Sequence, residues 1–202
     1  MDVLLAEDEH LIRGSLAALL SFEEDIEVVA QAADGPEAVA MARRWDPDVA
    51  VLDLLMPGLD GIQVTEELRS RVPGCRCLIV TSHGVPGHLK RALAAGVYGF
   101  APKTLSAQEL SKVIRTVHAG HRYVDPTLTA KAINAGDSPL TAREADILHL
   151  ASDGAPIAEI ATRAALTPGT VRNYLSSATT KLAVSNRHEA VLKAREHGWI
   201  TW

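Results

Sequence analysis

The chain has 202 residues, of which 47% are hydrophobic and 22% are charged, and its formal net charge is −5. This composition excludes a disordered chain and supplies enough apolar material for one large domain or two small ones. The longest apolar stretches have the length of strands, and no basic segment with an apolar signal core precedes the first of them, so we expect a cytoplasmic protein without membrane insertion.

The charge is unevenly distributed along the chain. Residues 1–120 contain 11 Lys and Arg against 17 Asp and Glu, whereas residues 121–202 contain 9 against 8. The acidic part is unsuited to nucleic acid, and the nearly neutral part can touch it through a local basic surface. Cys75 and Cys77 are the only cysteines of the sequence. Without further cysteines or clustered histidines they are interpreted as packing residues rather than as a zinc site or a disulfide framework.

Strands and helices alternate in the pattern from residue 2 to about residue 119. The predicted strands are residues 3–6, 27–32, 49–52, 77–80 and 99–101, and the predicted helices are residues 11–21, 35–44, 61–71, 87–95 and 106–119. Asp34 and Ser106 stand where side chains cap two helix starts, and Gly96 and Gly120 stand where glycine ends two helices. Five alternating pairs predict an α/β domain over residues 1–120, with a parallel sheet covered on both faces.

The alternation stops after residue 120. Residues 121–138 are rich in turn-forming residues around one short helical piece, which predicts a linker. From residue 139 to residue 202 the pattern is helical throughout, with helices at residues 141–152, 156–164, 169–182 and 187–197. The sequence therefore predicts a small all-α domain of four helices after the linker.

Carboxylates follow or close two of the apolar strands. Glu7 and Asp8 come directly after residues 3–6, and Asp53 closes residues 49–52. Since the carboxyl ends of parallel strands meet at one rim of the sheet, where such folds place their chemistry, we expect the three acids to lie together. Neighbouring carboxylates repel one another unless a cation is present, and their oxygens suit a hard divalent ion such as Mg²⁺ or Mn²⁺.

Two further side chains are expected at the same rim, because Thr81 ends the fourth strand and Lys103 follows the fifth. The set suits phosphoryl transfer to a carboxylate: Asp53 attacks, the metal and Lys103 screen the incoming charge, and Thr81 hydrogen-bonds the product. Each of these residues also has an ordinary structural explanation when it is taken singly. The acids could cap the helices that follow them, the Thr81 hydroxyl could be hydrogen-bonded at its strand end, and Lys103 could be a solvated surface charge. Their joint placement favours the functional interpretation.

The segments around these side chains carry a family resemblance. They read Leu-Leu-Ala-Glu-Asp at residues 4–8, Asp-Leu-Leu-Met-Pro-Gly-Leu-Asp-Gly at 53–61, Thr-Ser at 81–82 and Ala-Gly-Val-Tyr-Gly-Phe-Ala-Pro-Lys at 95–103. In these segments the chain resembles the receiver domains of response regulators, over residues 1 to about 120. The resemblance implies a flavodoxin-like fold with a five-stranded parallel sheet.

The same resemblance implies a role for each side chain at the rim. Asp53 is the phosphoacceptor, and Glu7, Asp8, Asp53 and the backbone carbonyl of Leu55 hold the metal. Thr81 and Phe100 form a switch pair, and Lys103 binds the phosphate. Leu55 and His83, two residues past Asp53 and Thr81, are expected to flank the route of attacking water, and an apolar residue at position 55 should hinder hydrolysis. His83 fits a solvated loop residue equally well.

The helical C-terminal part contains a helix, a short turn and a second helix that starts at Thr167, which is typical of a helix-turn-helix. Apolar residues at helical spacing are interpreted as its core; they are Ile157, Ile160, Ala161, Leu166, Val171, Leu175 and Leu182. On the outward face Arg172 can pair with guanine and Asn173 with adenine. Thr167, Thr170 and Lys181 suit phosphates, and Ser176 and Thr180 lie on the same face. Charge alone would favour the alternative of a solvated face on a small bundle.

This segment resembles the LuxR-type DNA-binding domain that follows a receiver in the NarL/FixJ group of regulators. The resemblance extends to Trp202, and residues 169–174 with Gly198-Trp199 look most like the subgroup typified by the DesR membrane-fluidity regulator. It implies a sensor histidine kinase and promoter DNA as partners and a homodimer on phosphorylation. The few basic residues predict weak nonspecific affinity and a shallow salt dependence.

Two other functions fit parts of this pattern. An enzyme with an aspartyl-phosphate intermediate typically needs an acid two residues after the nucleophile, and position 55 is leucine. A regulator that binds DNA without phosphorylation does not need the complete set of acids, Thr81 and Lys103. We therefore predict a regulator and not an enzyme.

Apolar stripes on the first and last helices of the α/β domain offer a candidate dimer surface. They consist of Ile12, Leu16, Leu19 and Leu20 and of Leu110, Val113, Ile114 and Val117. Most of them must face the sheet, and any that stay exposed are candidates for contact with a second copy.

Overall fold

The computed structural model describes residues 1–82, 86–134 and 138–200. His83 and Trp202, both named above, and part of the predicted linker lie outside these ranges. The chain divides into two compact units. The N-terminal unit comprises Met1–Gly84 and Leu89–Ala130, and the C-terminal unit comprises Val85–His88 and Lys131–Trp202. The division between Ala130 and Lys131 falls inside the predicted linker.

Strands and helices alternate through the first part of the chain, as predicted. The strands are β1 (Asp2–Ala6), β2 (Glu27–Ala32), β3 (Val49–Asp53), β4 (Arg76–Thr81), β5 (Gly99–Pro102) and β6 (Tyr123–Val124). The helices are α1 (His10–Leu20), α2 (Gly35–Trp45), α3 (Gly61–Arg71), α4 (Pro86–Ala95), α5 (Ala107–His118) and α6 (Pro126–Asn134). The strands form one parallel sheet in the order β2-β1-β3-β4-β5-β6. The predicted α/β class is confirmed.

The described part of the sheet has six strands instead of the five predicted. The additional strand, β6, pairs Tyr123 with Gly99 and Val124 with Phe100 at the edge of the sheet. Two residues are too few for a period-two pattern, and the turn-rich neighbours of β6 hide it further. The expectation that residues 121–138 form only a linker was therefore wrong at this strand.

The strand order determines where the site lies. The chain leaves β1 for β2 on one side of it and returns to β3 on the other side, so the order reverses between β1 and β3. Helices cover both faces of the sheet. Buried residues of α1 and α5 pack against one face, and buried residues of α2 and α3 pack against the other. Open parallel sheets of this kind bind their ligands at the carboxyl ends of the strands at such a reversal.

The local signals that predicted helix ends are confirmed. The Asp34 side chain accepts a hydrogen bond from the backbone of Glu37 at the start of α2, and Ser106 forms a reciprocal capping box with Glu109 at the start of α5. Gly96, after α4, has a φ of 96°, which is unfavourable for a residue with a side chain.

The C-terminal unit is built from α7 (Ala142–Leu150), α8 (Ile157–Ala164), α9 (Pro168–Lys181) and α10 (Arg187–Glu196). Residues 138–200 contain no strand in the structure, as predicted. The seven predicted core residues all belong to one hydrophobic cluster, with Ile157 and Leu166 at its partly buried edge. None of the helices in the described ranges has both the length and the apolar character needed to cross a bilayer.

An apolar surface remains exposed on α1. The apolar stripe of α5, Leu110, Val113, Ile114 and Val117, is buried, and so is Leu20 of α1. Leu11, Leu19 and Phe22 have 80%, 45% and 83% of their surface exposed. Gly14, Ser15 and Ala18, which lie between them on the helix, are exposed as well, so this face carries no charged side chain. We call these six residues the α1 patch.

Candidate phosphorylation site and DNA-binding surface

The three predicted acids lie together at the carboxyl ends of β1 and β3. The strands pair Ala6 with Leu52, so Glu7 and Asp53 are the next residues on neighbouring strands. One carboxylate oxygen from each of Glu7, Asp8 and Asp53 lies within 4.8 Å of the others. The cluster therefore occupies the position between β1 and β3 at which the strand order reverses.

The cluster combines burial with like charges. Glu7 and Asp53 are buried, whereas Asp8 is exposed. Burial raises the pKa of Glu7 against the opposing hydrogen bond from Lys103, and the charge of Asp53 raises it further. Burial also raises the pKa of Asp53, with a smaller contribution from the charge of Asp8, against the attraction of Lys103. Both shifts show that this site disfavours further negative charge unless positive charge is supplied.

Lys103 supplies part of that charge. Its Nζ lies 2.7 Å from Oε2 of Glu7 and 3.3 Å from Oδ1 of Asp53. Burial acts to lower the pKa of Lys103, but the hydrogen bond to Glu7 and the charge of Asp53 raise it overall. The backbone N–H of Lys103 donates to the carbonyl of Thr81 at 2.9 Å, which ties the lysine to the end of β4. Lys103 therefore stays protonated and bridges the two buried acids.

The donor set fits a hard divalent cation. Three carboxylates offer oxygen ligands, and the exposed Asp8 leaves room for the waters that Mg²⁺ retains. Leu55, whose carbonyl the family resemblance adds to this set, is half-buried in the turn after β3. A cation that binds the oxygens of Glu7 competes with Lys103 for the same carboxylate.

The predicted switch residues are both buried. Thr81 ends β4 and pairs with Pro102 of β5, and Phe100 lies in β5 with no exposed surface. The Phe100 ring is thus already inside the protein. Any movement of Phe100 after Thr81 shifts is a rearrangement within the core and not the burial of an exposed ring.

Sequence reasoning missed two residues that hold this site. The backbone N–H of Gly61 donates to the Leu54 carbonyl at 2.9 Å, and a Cβ at position 61 would lie 2.3 Å from the carbonyl oxygen of Asp53. Only glycine permits that approach, and its place after the helix-capping Asp60 was the available signal. Arg13 donates from its guanidinium to the backbone carbonyl of Glu7. No sequence spacing predicts that contact.

In the C-terminal unit, a left-handed residue and side-chain hydrogen bonds form the turn between α8 and α9. Ala165 ends α8 in the left-handed conformation, with a φ of 54°. The Thr167 hydroxyl then accepts a hydrogen bond from the backbone N–H of Thr170 and caps α9. The hydroxyls of Thr167 and Thr170 also share a hydrogen bond of 2.9 Å.

The two faces of α9 differ in burial. Val171, Leu175 and Ala178 are buried in the cluster of the C-terminal unit. The predicted base-reading residues are exposed on the opposite face, together with two smaller polar residues; they are Arg172, Asn173, Ser176 and Thr180. Spacings of three and four residues place them on one side of the helix, as a groove-reading surface requires.

Lys181, predicted to contact phosphate, is exposed but forms an ion pair within the C-terminal unit. Its Nζ lies 2.7 Å from Oε2 of Glu144, a residue with 5% of its surface exposed. Glu144 also accepts from the Ser177 hydroxyl at 2.6 Å and from the Thr141 backbone at 2.7 Å. Burial acts to raise the pKa of Glu144, but the hydrogen bonds from Lys181, Ser177 and Thr141 lower it to about 2. We call these four residues the Glu144 network; it joins the start of α7 to the end of α9.

Comparison with known proteins gives matches for both units. Residues 3–115 match the model of the response regulator receiver domain, and residues 138–194 match that of bacterial regulatory proteins of the luxR family. The chain is 39% identical over 200 residues to the transcriptional regulatory protein DesR of Bacillus subtilis, covering 99% of each sequence. It is 34% identical over 204 residues to the response regulator protein VraR of Staphylococcus aureus, covering 98% of each.

A solved structure matches over nearly the same length. The response regulator ChrA of a heme-sensing two-component system is 29% identical, with a TM-score of 0.58 and 98% of each chain covered. The matches to DesR, VraR and ChrA therefore each extend over both units of the chain.

Proposed function

The chain belongs to the two-component response regulators that join a receiver domain to a LuxR-type DNA-binding domain, and we propose that phosphorylation of Asp53 by a sensor histidine kinase controls its dimerisation and its binding to promoter DNA. The observation that carries this proposal is the position of Asp53 at the end of β3, within reach of Lys103 and clustered with the two acids that follow β1. We expect the protein to meet both the kinase and the promoter DNA in the cytoplasm.

Asp53 is the nucleophile of the proposed transfer. One of its carboxylate oxygens forms a bond to the phosphorus of the kinase phosphohistidine while the bond from phosphorus to the imidazole nitrogen breaks. When Glu7, Asp8, Asp53 and the Leu55 carbonyl hold Mg²⁺ or Mn²⁺, the ion neutralises charge on the transferring phosphoryl oxygens. Lys103 pairs with a phosphoryl oxygen after leaving Glu7, and the Thr81 hydroxyl donates to another.

The product is suited to signalling rather than to turnover. The residue two positions after Asp53 is the half-buried Leu55, which offers no carboxylate to activate water for hydrolysis. The added phosphoryl group carries about −1.5 to −2 charges and three acceptor oxygens. The added charge at the ends of β3, β4 and β5 makes different contacts in two conformations of the protein. That difference is what shifts the population from one conformation to the other.

Incubation of the full chain with acetyl phosphate and Mg²⁺ tests this proposal. We expect the mass to rise by one phosphoryl group, the oligomeric size to double, and affinity to increase for DNA selected from random sequence. Omission of Mg²⁺ is the control for the metal site. Repeated turnover of acetyl phosphate without stable modification would indicate an enzyme, and DNA affinity that ignores phosphorylation would refute the switch.

The exposed face of α9 is the proposed reading surface, presented once by each protomer. Two reading heads about 34–36 Å apart address half-sites one helical turn apart, which gives a dimer more specificity than a single head. Arg172 and Asn173 come first along this face. The guanidinium of Arg172 can pair with guanine, and the amide of Asn173 can pair with adenine.

Arg172→Ala is expected to remove discrimination at one base position at a cost of about 1–3 kcal/mol, because a bidentate contact to a base edge is lost. The measurement is binding to the selected DNA and to single-base variants of it at fixed salt. Arg163→Ala is the matched control, since Arg163 lies on α8 and pairs with Asp153 and Glu159. An unchanged base preference in Arg172→Ala would refute the base-reading role.

Phe22→Asp is expected to prevent dimerisation on phosphorylation without slowing phosphorylation itself. The ring is 83% exposed in the uncharged α1 patch, and burying such a side chain contributes about 1.5–3 kcal/mol per copy. Sedimentation of the acetyl phosphate-treated protein measures the effect. Trp45→Asp, a similar change at an exposed aromatic on α2, serves as control. If both variants dimerise normally, the α1 patch is not the interface.

A further inference from the structure

A cavity lies at the end of the sheet opposite to Asp53. Its volume is about 300 Å³, and its lining includes Arg69, Tyr98 and Arg122. Tyr98 directly precedes β5 and Arg122 directly precedes β6, so the cavity lies at the amino ends of these strands, whereas Asp53 closes the carboxyl end of β3. These lining residues belong to the N-terminal unit. The volume is at the lower end of the range typical of small-molecule sites.

The cavity is lined by cationic groups and not by acids. Among the residues that the structure describes, its lining contains no Asp or Glu. Asp48, which precedes β3, is engaged elsewhere, because it accepts a hydrogen bond from the Asp2 backbone at 2.8 Å and lies 3.7 Å from Nε2 of His118. Glu66 lines a neighbouring pocket together with Arg69, and within the described ranges the two form no ion pair. The positive charge in the cavity is therefore not neutralised from its own walls.

Arg69 is held in place across the end of α4. Its guanidinium lies 3.5 Å from the carbonyl oxygen of Ala95, a distance at which a hydrogen bond is weak. A Cβ at position 96 would lie 3.4 Å from both Cδ and Nη1 of Arg69, so the side chain packs against the backbone of Gly96. Most N–H donors of this guanidinium therefore remain available to an anion while its stem is already positioned.

Arg122 is fixed at the rim through its backbone neighbours. The backbone N–H of Tyr123 donates to the carbonyl of Tyr98 at 2.9 Å, which sets the start of β6 beside the start of β5. The side chain of Arg122 has neither an ion pair nor a hydrogen bond to any residue that the structure describes. A third guanidinium adds positive charge nearby: that of Arg76 lies 5.6 Å from the centre of the Tyr98 ring and donates to the His118 carbonyl at 3.1 Å.

We propose that this cavity binds a small dicarboxylate, with Arg69 and Arg122 each pairing with one carboxylate. The planar fork of a guanidinium matches a carboxylate with two parallel hydrogen bonds. Since the two arginines come from different elements, α3 and the segment before β6, they favour a ligand with an anionic group at each end. The half-buried Tyr98 offers aromatic surface to the carbon chain between them. This site is separate from the phosphorylation of Asp53 and does not depend on it.

Titration of the full-length protein with succinate tests the site, and the chemical shifts of the backbone amides report both affinity and location. Succinamide, which has the same carbon chain without charge, is the control ligand, and ionic strength is held constant with sodium chloride. We expect saturable binding of succinate with the largest shifts at Gly96, Tyr98 and Arg122, and no binding of succinamide. Arg69→Gln and Arg122→Gln should each weaken the binding of succinate about fivefold, which corresponds to ~1 kcal/mol.

Arg71→Gln is the matched control, because Arg71 lies on the same helix as Arg69 but is paired with Glu67 at 2.6 Å. It removes the same charge from α3 and should leave the affinity for succinate unchanged. Arg69 and Arg122 have exposed side chains, so their substitution leaves the core intact. The proposal is overturned if succinate shows no saturable binding, if succinamide binds as tightly, or if the two cavity variants bind like the wild type. Equal weakening in Arg71→Gln would also overturn it, since only net charge would then matter.

Discussion

Asp53→Asn is expected to abolish phosphorylation completely and, in the absence of a divalent cation, to make the receiver domain more stable. The amide has nearly the shape of the carboxylate, and its oxygen can still accept the hydrogen bond that Asp53 Oδ1 takes from the Leu54 backbone at 2.8 Å. It lacks the negatively charged oxygen that attacks phosphorus. The change also removes one of three clustered like charges, at a gain on the order of 1 kcal/mol.

The stability gain is the more informative half of this prediction, because the variant also loses the attraction between Asp53 and Lys103. The Nζ of Lys103 is closer to Glu7, at 2.7 Å, than to Asp53, at 3.3 Å, so its main contact survives the substitution. Unfolding by urea in the presence of a chelator measures the change in the free energy of unfolding. The intact mass after treatment with acetyl phosphate shows whether the variant is still phosphorylated.

Asp8→Asn is the control for Asp53→Asn, since it removes a charge from the same cluster but keeps the acceptor. We expect it to accept phosphate more slowly, with weaker binding of Mg²⁺. A phosphorylated Asp53→Asn protein would show that a different residue is the acceptor. A less stable Asp53→Asn protein would show that the attraction to Lys103 exceeds the repulsion among the acids.

The acid cluster was predictable because it follows from local patterns. Apolar runs that end in Glu7-Asp8 and in Asp53 mark the ends of buried strands, and parallel topology brings such ends to one rim. The contact between Lys103 and Glu7 was not predictable in the same way. It joins residues 96 positions apart, and it depends on the register of three strands and on which of two acids is nearer.

Two other features could not be predicted from sequence patterns, each for its own physical reason. The two residues of β6, Tyr123 and Val124, both favour strands, but two residues give no period-two pattern, and their order comes from pairing with β5. Glu144 fits the capping-box spacing with Thr141, which explains its backbone contact, but its bonds to Ser177 and Lys181 depend on how α7 packs on α9. Lys181 therefore stays exposed, as a helix wheel predicts, while its ammonium group is paired with the buried carboxylate of Glu144.

The position of Lys181 leads to a second expected result: Glu144→Gln should destabilise the DNA-binding domain by about 2–3 kcal/mol. The carboxylate is buried and accepts three hydrogen bonds, and the neutral amide leaves the Lys181 ammonium without its partner charge. Hydrogen exchange across α7 and α9 in the full-length protein measures the loss locally. Both helices should exchange faster, while the strands of the receiver domain keep their protection.

The effect has a defined dependence on pH. The pKa of Glu144 is lowered from 4.5 to about 2 in the folded protein, so the unfolded chain binds its proton more tightly. The stabilisation from this carboxylate is therefore fully present above a pH of about 4.5 and is lost as the pH falls towards about 2. The difference between wild type and Glu144→Gln should shrink over that range, and a constant difference would mean that Glu144 acts through packing alone.

Lys181→Met separates a role within the Glu144 network from a contact to DNA. A lysine that neutralises one phosphate changes the slope of log affinity against log salt concentration by about 0.9 when it is removed. If Lys181 instead holds α9 against α7, the variant loses stability and DNA affinity while the salt slope stays unchanged. The double variant with Glu144→Gln should then cost less than the sum of the single changes, because each single change removes the same interaction. If the variant instead has a lower salt slope and unaltered hydrogen exchange, Lys181 contacts a DNA phosphate. The reading surface would then extend from Arg172 to the end of α9.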